Sequence, residues 1–254
     1  MLKIRLIPSL LLRNGRCVKG VRFANHKDVG FPVTAAKVYE AQGADELLFL
    51  DIDATSDDRE TLYQIVTKTA EQCFMPLTAG GGVRSVADIR ALLRAGADKI
   101  TVNTAAFERP ELIREGAEEF GAQCIVVSID HKSSPGSETD TVVTANGRLE
   151  TGMSLMDWAL QAEELGAGEI LLNSVDHDGR RDGYAIDTIR SVSDGVSIPV
   201  IASGGVGTLD DLVTGVTEGH ASAVAAASLF HFTDQSVIKA HSYMKQAGLD
   251  VRMS

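Results

Sequence analysis

The chain has 254 residues, 44% of them hydrophobic, and a formal net charge of -11. That length suits one large α/β core, and the acidic balance excludes a nucleic-acid or anionic-membrane partner, since either needs a basic face. The three cysteines, Cys17, Cys73 and Cys124, stand far apart with no CxxC pair, so idle thiols are expected rather than a disulfide framework or a zinc site.

In chain order, the first element is Ile4 to Leu12, apolar on both alternating faces except for Arg5. It reads as a strand buried on both sides. Parity puts Arg5, Ile7, Ser9 and Leu11 on one face, so an inward Arg5 at one end implies an inward Leu11 at the other. The polar, glycine-punctuated stretch from Arg13 to Gly30 reads as a long binding loop or lid. Pro32 opens a helix toward Ala41, Glu46 to Asp51 is the second strand, and a helix covers about Asp58 to Cys73. Met75 to Ala79 is the third strand, running into Gly80-Gly81-Gly82. Ser85 with Asp88 is a capping-box-like start for a helix to Ala95, and Lys99 to Asn103 is the fourth strand. Pro110 opens a helix to Phe120, and Cys124 to Asp130 is the fifth strand. The polar excursion from His131 to Gly147, with Ser133, Ser134, Pro135 and Gly136, reads as a hairpin or mobile loop. Helices from Ser154 to Leu165, after Tyr184, from Thr208 and from Ser236 then alternate with strands at Glu169 to Asn173, Ile198 to Ala202 and Ala223 to Ala226. Neither a cleavable leader nor a run of membrane-span length is present, so a soluble cytoplasmic protein is expected.

Eight βα units predict parallel strands closed as a single-domain (β/α)8 TIM barrel over residues 1–254. An internal repeat supports closure: Glu46-Leu-Leu-Phe-Leu-Asp-Ile-Asp53 aligns with Glu169-Ile-Leu-Leu-Asn-Ser-Val-Asp176, and Ala79-Gly-Gly-Gly-Val83 with Ala202-Ser-Gly-Gly-Val206, both at an offset of 123 residues. A constant offset over separate motifs predicts duplicated half-barrels.

The glycine turns Gly80-Gly81-Gly82 and Ser203-Gly204-Gly205 each follow a strand and precede a helix, where backbone amides can approach an anion. Tight packing also demands glycine there, so it is the symmetric pair that points to phosphate. Asn103-Thr104 and Ala227-Ser228 close the same half-barrels with amide and hydroxyl donors. Two such sites imply an elongated ligand phosphorylated at each end. Asp51, Asp130, Asp176 and Asp178 stand at or beyond strand ends. Asp130, closing an apolar strand, is placed for acid/base work at the rim, whereas Asp178 before Gly179 reads equally as a turn. Arg5, Glu46, Lys99 and Glu169 each start an apolar strand and predict a charged ring closing the barrel bottom. Lys19 reads either as a lid lysine or as a solvated one. The six histidines show no metal-ligand spacing, Trp158 reads as packing, and neither a metal nor a cofactor is expected.

The chain resembles the HisF family, the cyclase subunit of imidazole glycerol phosphate synthase. The resemblance is carried by Gly15-Arg-Cys-Val-Lys-Gly20, Asp45-Glu-Leu-Leu-Phe-Leu-Asp51, Leu77-Thr-Ala-Gly-Gly-Gly-Val-Arg84, Gly96-Ala-Asp-Lys99, Asn103-Thr-Ala-Ala106, Gly166-Ala-Gly-Glu-Ile-Leu-Leu172, Ile201-Ala-Ser-Gly-Gly205 and Ala226-Ala-Ser-Leu-Phe-His231. It implies a glutamine amidotransferase complex: a HisH-like glutaminase docks at the barrel bottom, and ammonia passes through to react with a ribulosyl bisphosphate intermediate. Carried over by motif, Arg5, Glu46, Lys99 and Glu169 match the ammonia gate, Asp98 a glutaminase contact, and Lys19 the lid lysine. Gly82, Asn103, Thr104, Gly179, Gly205, Ala227 and Ser228 match the phosphate sites. Asp130 matches one of two catalytic aspartates, with Asp51 and Asp178 as supporting acids.

The departures are selective. The family's Cys-Leu-Asp-Val at the end of strand one reads Ser9-Leu-Leu-Leu12 here, so Leu11 stands where the second catalytic aspartate belongs. A leucine cannot transfer a proton. Asn173 and Asp53 each replace a usual threonine. The pattern is similar to the divergent second-HisF branch (WbuZ-like), which implies ammonia supply for N-acetyl sugar amidation in surface polysaccharide synthesis, with a sugar amidotransferase as a further partner. The alternatives are a genuine cyclase, with Asp53 as a replacement acid, and a non-catalytic scaffold that activates a glutaminase.

Overall fold

Strand β1 (Arg5–Arg13) is followed by β2 (Arg16–Val21), β3 (Ala24–Gly30), α1 (Pro32–Ala41), β4 (Leu47–Asp51), α2 (Arg59–Ala70), β5 (Leu77–Gly80), α3 (Val86–Ala95) and β6 (Lys99–Val102). The middle of the chain forms α4 (Thr104–Glu108), α5 (Glu111–Phe120), β7 (Ile125–Lys132), β8 (Thr141–Thr144), β9 (Leu149–Ser154) and α6 (Leu155–Glu164). The rest forms β10 (Glu169–Ser174), α7 (Ile186–Gly195), β11 (Val200–Ser203), α8 (Leu209–Thr217), β12 (Ala223–Ala226), α9 (Ser228–Phe232) and α10 (Val237–Gln246). This computed structural model describes residues 3–53, 59–133 and 140–252. Asp58, Ser134, Pro135 and Gly136 lie outside the described residues.

Eight strands, β1, β4, β5, β6, β7, β10, β11 and β12, pair in parallel in that order, and β12 returns to β1 to close the barrel. The expected (β/α)8 barrel is therefore the fold. Its two faces explain why the strands carry apolar runs rather than alternation. Ile7, Leu48, Val126, Leu171, Ile201, Ala223 and Ala225 pack inside the barrel, while Leu6, Leu10, Leu47, Phe49, Ile100 and Val127 belong to the larger core beneath the helices. Helix starts follow local chemistry. Pro32 sits in the first turn of α1, and Ser85, Ser154 and Ser236 accept hydrogen bonds from backbone N–H groups of the first turns of α3, α6 and α10. At α3 the Asp88 carboxylate accepts from the Arg84 N–H, whereas the fully reciprocal capping box forms at Thr208 and Asp211 of α8.

The stretch Arg13–Gly30 is not a loop. It is an antiparallel hairpin, with Leu11 opposite Val18, Leu12 opposite Cys17 and Arg13 opposite Arg16, and β3 pairing back on β2. The missed signal is Asn14-Gly15, both at positive φ (48° and 74°), a dipeptide suited to a two-residue hairpin turn. The excursion after β7 is likewise a hairpin, β8 with β9, turning at Ala145, Asn146 and Gly147, all at positive φ. Cys17 and Cys73 are buried, and burial pushes the Cys17 thiol up to about 12, which keeps it inert.

Candidate functional site

At the N-terminal ends of the strands the four predicted charges form a closed ring. Arg5 donates Nη1 to Glu46 at 2.6 Å and Nη2 to Glu169 at 3.0 Å. Lys99 Nζ donates to the same two carboxylates, at 2.9 Å each. Glu46, only 2% exposed, also accepts the Thr78 hydroxyl at 2.6 Å. A carboxylate this buried needs such donors to remain charged. Burial works against the Arg5 charge, yet the two glutamates outweigh it and raise its pKa. Asp98 is exposed on this same end, and its carboxylate accepts the Leu77 N–H at 2.8 Å. Asp45 does the same for Leu6 at 2.8 Å. The aspartates of Gly43-Ala44-Asp45 and Gly96-Ala97-Asp98 thus each satisfy an N–H at the start of a neighbouring strand.

At the opposite end Asp130 is buried and accepts the side-chain amides of Asn103 at 2.8 Å and Asn173 at 3.0 Å. Burial raises its pKa, and the two amide hydrogen bonds only partly offset this. In the barrel register Asp130 lies beside Asn173, and Leu11 lies beside Leu50. Leu50 and Asn173 are related by the same 123-residue repeat offset. One half of the mouth therefore carries a polar pair, and the other an apolar pair.

Lys19 is not a solvated lysine. It is 4% exposed and donates to Asp178 at 2.5 Å. Asp178 also accepts the Phe23 N–H at 3.3 Å, and its carbonyl accepts the Arg22 N–H at 2.9 Å, so the first hairpin is latched onto the β10–α7 loop. A cavity beneath this latch is lined by Leu11, Lys19, Phe23, Asp178, Gly205 and Ser228, with Ser9, Leu50, Asn173, Gly179 and Ala227 also on its wall. Gly82, Asn103, Thr104 and Asp130 are not on that wall; the Thr104 hydroxyl accepts the N–H of Ala145 at 3.1 Å. Asp51 accepts the Asp53 N–H at 3.1 Å, and Asp53 pairs with Arg13 at 2.5 Å. His26, which sequence reasoning passed over, has its pKa lowered by burial and by the charges of Arg13 and Lys19.

Packing alone requires glycine in each turn. A Cβ on Gly81 would lie 2.1 Å from the Asp51 carbonyl oxygen, and one on Gly205, at φ 112°, would lie 1.9 Å from that of Gly183. Gly205→Ala is expected to cost about 2 kcal/mol or more in denaturant unfolding without any ligand present. No cluster that could hold a metal ion occurs among the described residues.

Behind Asp130, the Asp140 carboxylate accepts the hydroxyls of Thr188 at 2.7 Å and Ser133 at 2.8 Å and lies 2.8 Å from the buried His131 Nδ1. The close contact with His131, followed by the hydroxyls of Thr188 and Ser133, holds the Asp140 carboxyl far below its ordinary range, against the cost of burial. A depressed carboxylate contributes stability that is present above its unfolded pKa of about 3.9 and is lost as pH falls toward the folded value. Asp140→Asn is therefore expected to lower unfolding free energy at pH 7, with the difference from the unaltered protein shrinking as pH falls below about 4.

No helix among the described residues is long and apolar enough to cross a membrane. The model of a family described as histidine biosynthesis protein matches residues 5–236. With its closed parallel barrel, its half-barrel repeat and that match, the chain belongs to the histidine biosynthesis family of barrels, the HisA/HisF family.

Proposed function

We propose that this protein is the HisF-like barrel subunit of a glutamine amidotransferase complex, and that it passes ammonia to an acceptor without performing the cyclisation itself. The acceptor is an N-acetyl sugar held by a separate amidotransferase, in a cytoplasmic route to surface polysaccharide. The observation that carries this reading is the pairing of Leu11 with Leu50, in the register position where the other half-barrel sets Asp130 beside Asn173. The bottom ring of Arg5, Glu46, Lys99 and Glu169 is complete. Ammonia handling is thus supported by intact groups, whereas two-carboxylate chemistry lacks one of its groups. The apolar interior from Ile7 to Ala225 suits a small neutral molecule. A HisH-like glutaminase would dock on the ring's outer face, where Phe74 stands 90% exposed and lines a cleft together with Asp98.

A genuine cyclase is the second reading, favoured by Asp130 and by the phosphate-site residues Gly82, Asn103, Thr104, Gly205 and Ser228. Its replacement acid would be Asp53, which is already ion-paired with Arg13. A glutaminase-activating scaffold is the third. Purified protein given the ribulosyl bisphosphate intermediate and an ammonium salt separates the first two readings. Loss of one acid/base group predicts turnover about 10²–10⁴-fold below that of a two-carboxylate cyclase, and turnover equal to such a cyclase would sink the proposal.

A further inference from the structure

Strand β7 carries two neighbouring titratable groups on opposite faces. Asp130 points into the mouth, and His131, 1% exposed, points outward beneath the helices. The strand is held on both sides at this point: Asp130 and His131 pair with Val143 and Val142 of β8, and with Asn173 and Ser174 of β10. The His131 carbonyl also accepts the Val175 N–H at 3.1 Å. On the outer face everything converges on Asp140. Its carboxylate meets His131 at 2.8 Å, Thr188 of α7 at 2.7 Å and Ser133 at 2.8 Å, and its carbonyl accepts the Leu155 N–H of α6 at 3.1 Å.

We propose that His131, anchored by Asp140, is a positioning residue for Asp130. Two effects act together. Because successive side chains leave a strand on opposite faces, rolling β7 enough to separate His131 from Asp140 would swing Asp130 away from Asn103 and Asn173. A proton on the imidazole would also stand one residue from a carboxylate whose charge burial disfavours, and would pull the proton affinity of Asp130 down. The other charged groups around the pair are Asp178, which pushes Asp130 the opposite way, Asp176, which accepts the Ser133 N–H at 3.0 Å, and Lys132, whose ammonium is turned to the Gly147 carbonyl at 2.6 Å. His131 thus sets the acidity and aim of Asp130, and the consequence for chemistry rests on the reading of Asp130 as the reacting group.

The test is the titration of the Asp130 carboxyl carbon by NMR in the whole protein, for the unaltered chain, His131→Gln and Asp140→Asn. His131→Gln keeps an N–H donor for Asp140 but no charge, and it should raise the Asp130 midpoint by on the order of one pH unit. Asp140→Asn removes the anchor and should raise the midpoint in the same direction. A folded His131→Gln variant with an unchanged midpoint overturns the charge effect. An unchanged Asp130 chemical shift and midpoint in Asp140→Asn overturns the anchor. Should His131→Gln fail to fold, Asp140→Asn alone decides. The titration is read without any turnover, so its failure is distinct from failure of the functional reading, which the ammonium assay addresses.

Discussion

Leu11→Asp is expected to raise cyclisation of the ribulosyl bisphosphate intermediate by about 10²-fold or more over the unaltered protein, with ammonium salt as the nitrogen source. The new carboxylate would face the cavity that holds Lys19, Asp178 and Ser228 and whose wall also includes Asn173, the neighbour of Asp130. Its cost is modest. Leu11 is only half-buried, and loss of its packing against Leu50 is worth about 1–2 kcal/mol in unfolding free energy. The double variant Leu11→Asp with Asp130→Asn should lose the gain, because acid and base act as a unit. No gain from Leu11→Asp alone would mean that the mouth has drifted elsewhere too, with the Arg13–Asp53 pair and the latched first hairpin as the places to look.

The second large effect lies at the other end. Under the proposed function, Lys99→Met should uncouple glutamine hydrolysis from ammonia delivery when the protein is assembled with a HisH-like glutaminase, because Lys99 joins the two carboxylates that Arg5 also bridges. Removing one cation leaves Glu46, which is 2% exposed, with only Arg5 and Thr78. Breaking a fully buried pair costs about 3–5 kcal/mol. Lys99 and Glu169 keep 17% and 12% exposure, so about 2–3 kcal/mol is expected here. The ratio of transferred nitrogen to glutamine hydrolysed should fall several-fold. An unchanged ratio in a folded variant would remove the ring from the ammonia route, and a loss of hydrolysis and transfer together would point to docking instead. A pure scaffold predicts no change in transfer at all.

The barrel and its bottom ring were legible from sequence for a simple physical reason. A charge at the start of an otherwise apolar strand has few places to go in a closed barrel, and parity along β1 placed Arg5 and Leu11 on the same inner face. Asp130 was legible in the same way, as the last residue of an apolar run. The hairpins were harder to read. Glycines between Arg13 and Gly30 suggested a loop, whereas Asn14-Gly15 is a turn that returns the chain onto β1. Lys19 is carried by that hairpin, and its burial depends on Asp178, 159 residues away, which no local pattern shows. The repeat announced symmetric phosphate turns, yet the symmetry does not extend to the surroundings. The cavity gathers Gly205 and Ser228 but not Gly82 and Thr104, because the two hairpins cover the two halves of the mouth differently. Glycine content could not have separated these cases, since backbone contact demands glycine in both turns. Asp98 shows the converse limit: its bond to the Leu77 N–H accounts for the residue locally, whatever else docks there.

The proposed function requires that nitrogen released at the bottom of the barrel leave at the top for an acceptor outside it. That transfer is measured by reconstituting the barrel with the proposed glutaminase and sugar amidotransferase, supplying glutamine labelled with 15N in the amide together with excess unlabelled ammonium, and reading the isotope in the products by mass spectrometry. Channelled transfer predicts an amidino sugar carrying label well above its share of total ammonia, and no labelled imidazole glycerol phosphate when the bisphosphate intermediate is added. Label diluted to the bulk ratio, or label captured in the imidazole ring, would contradict it.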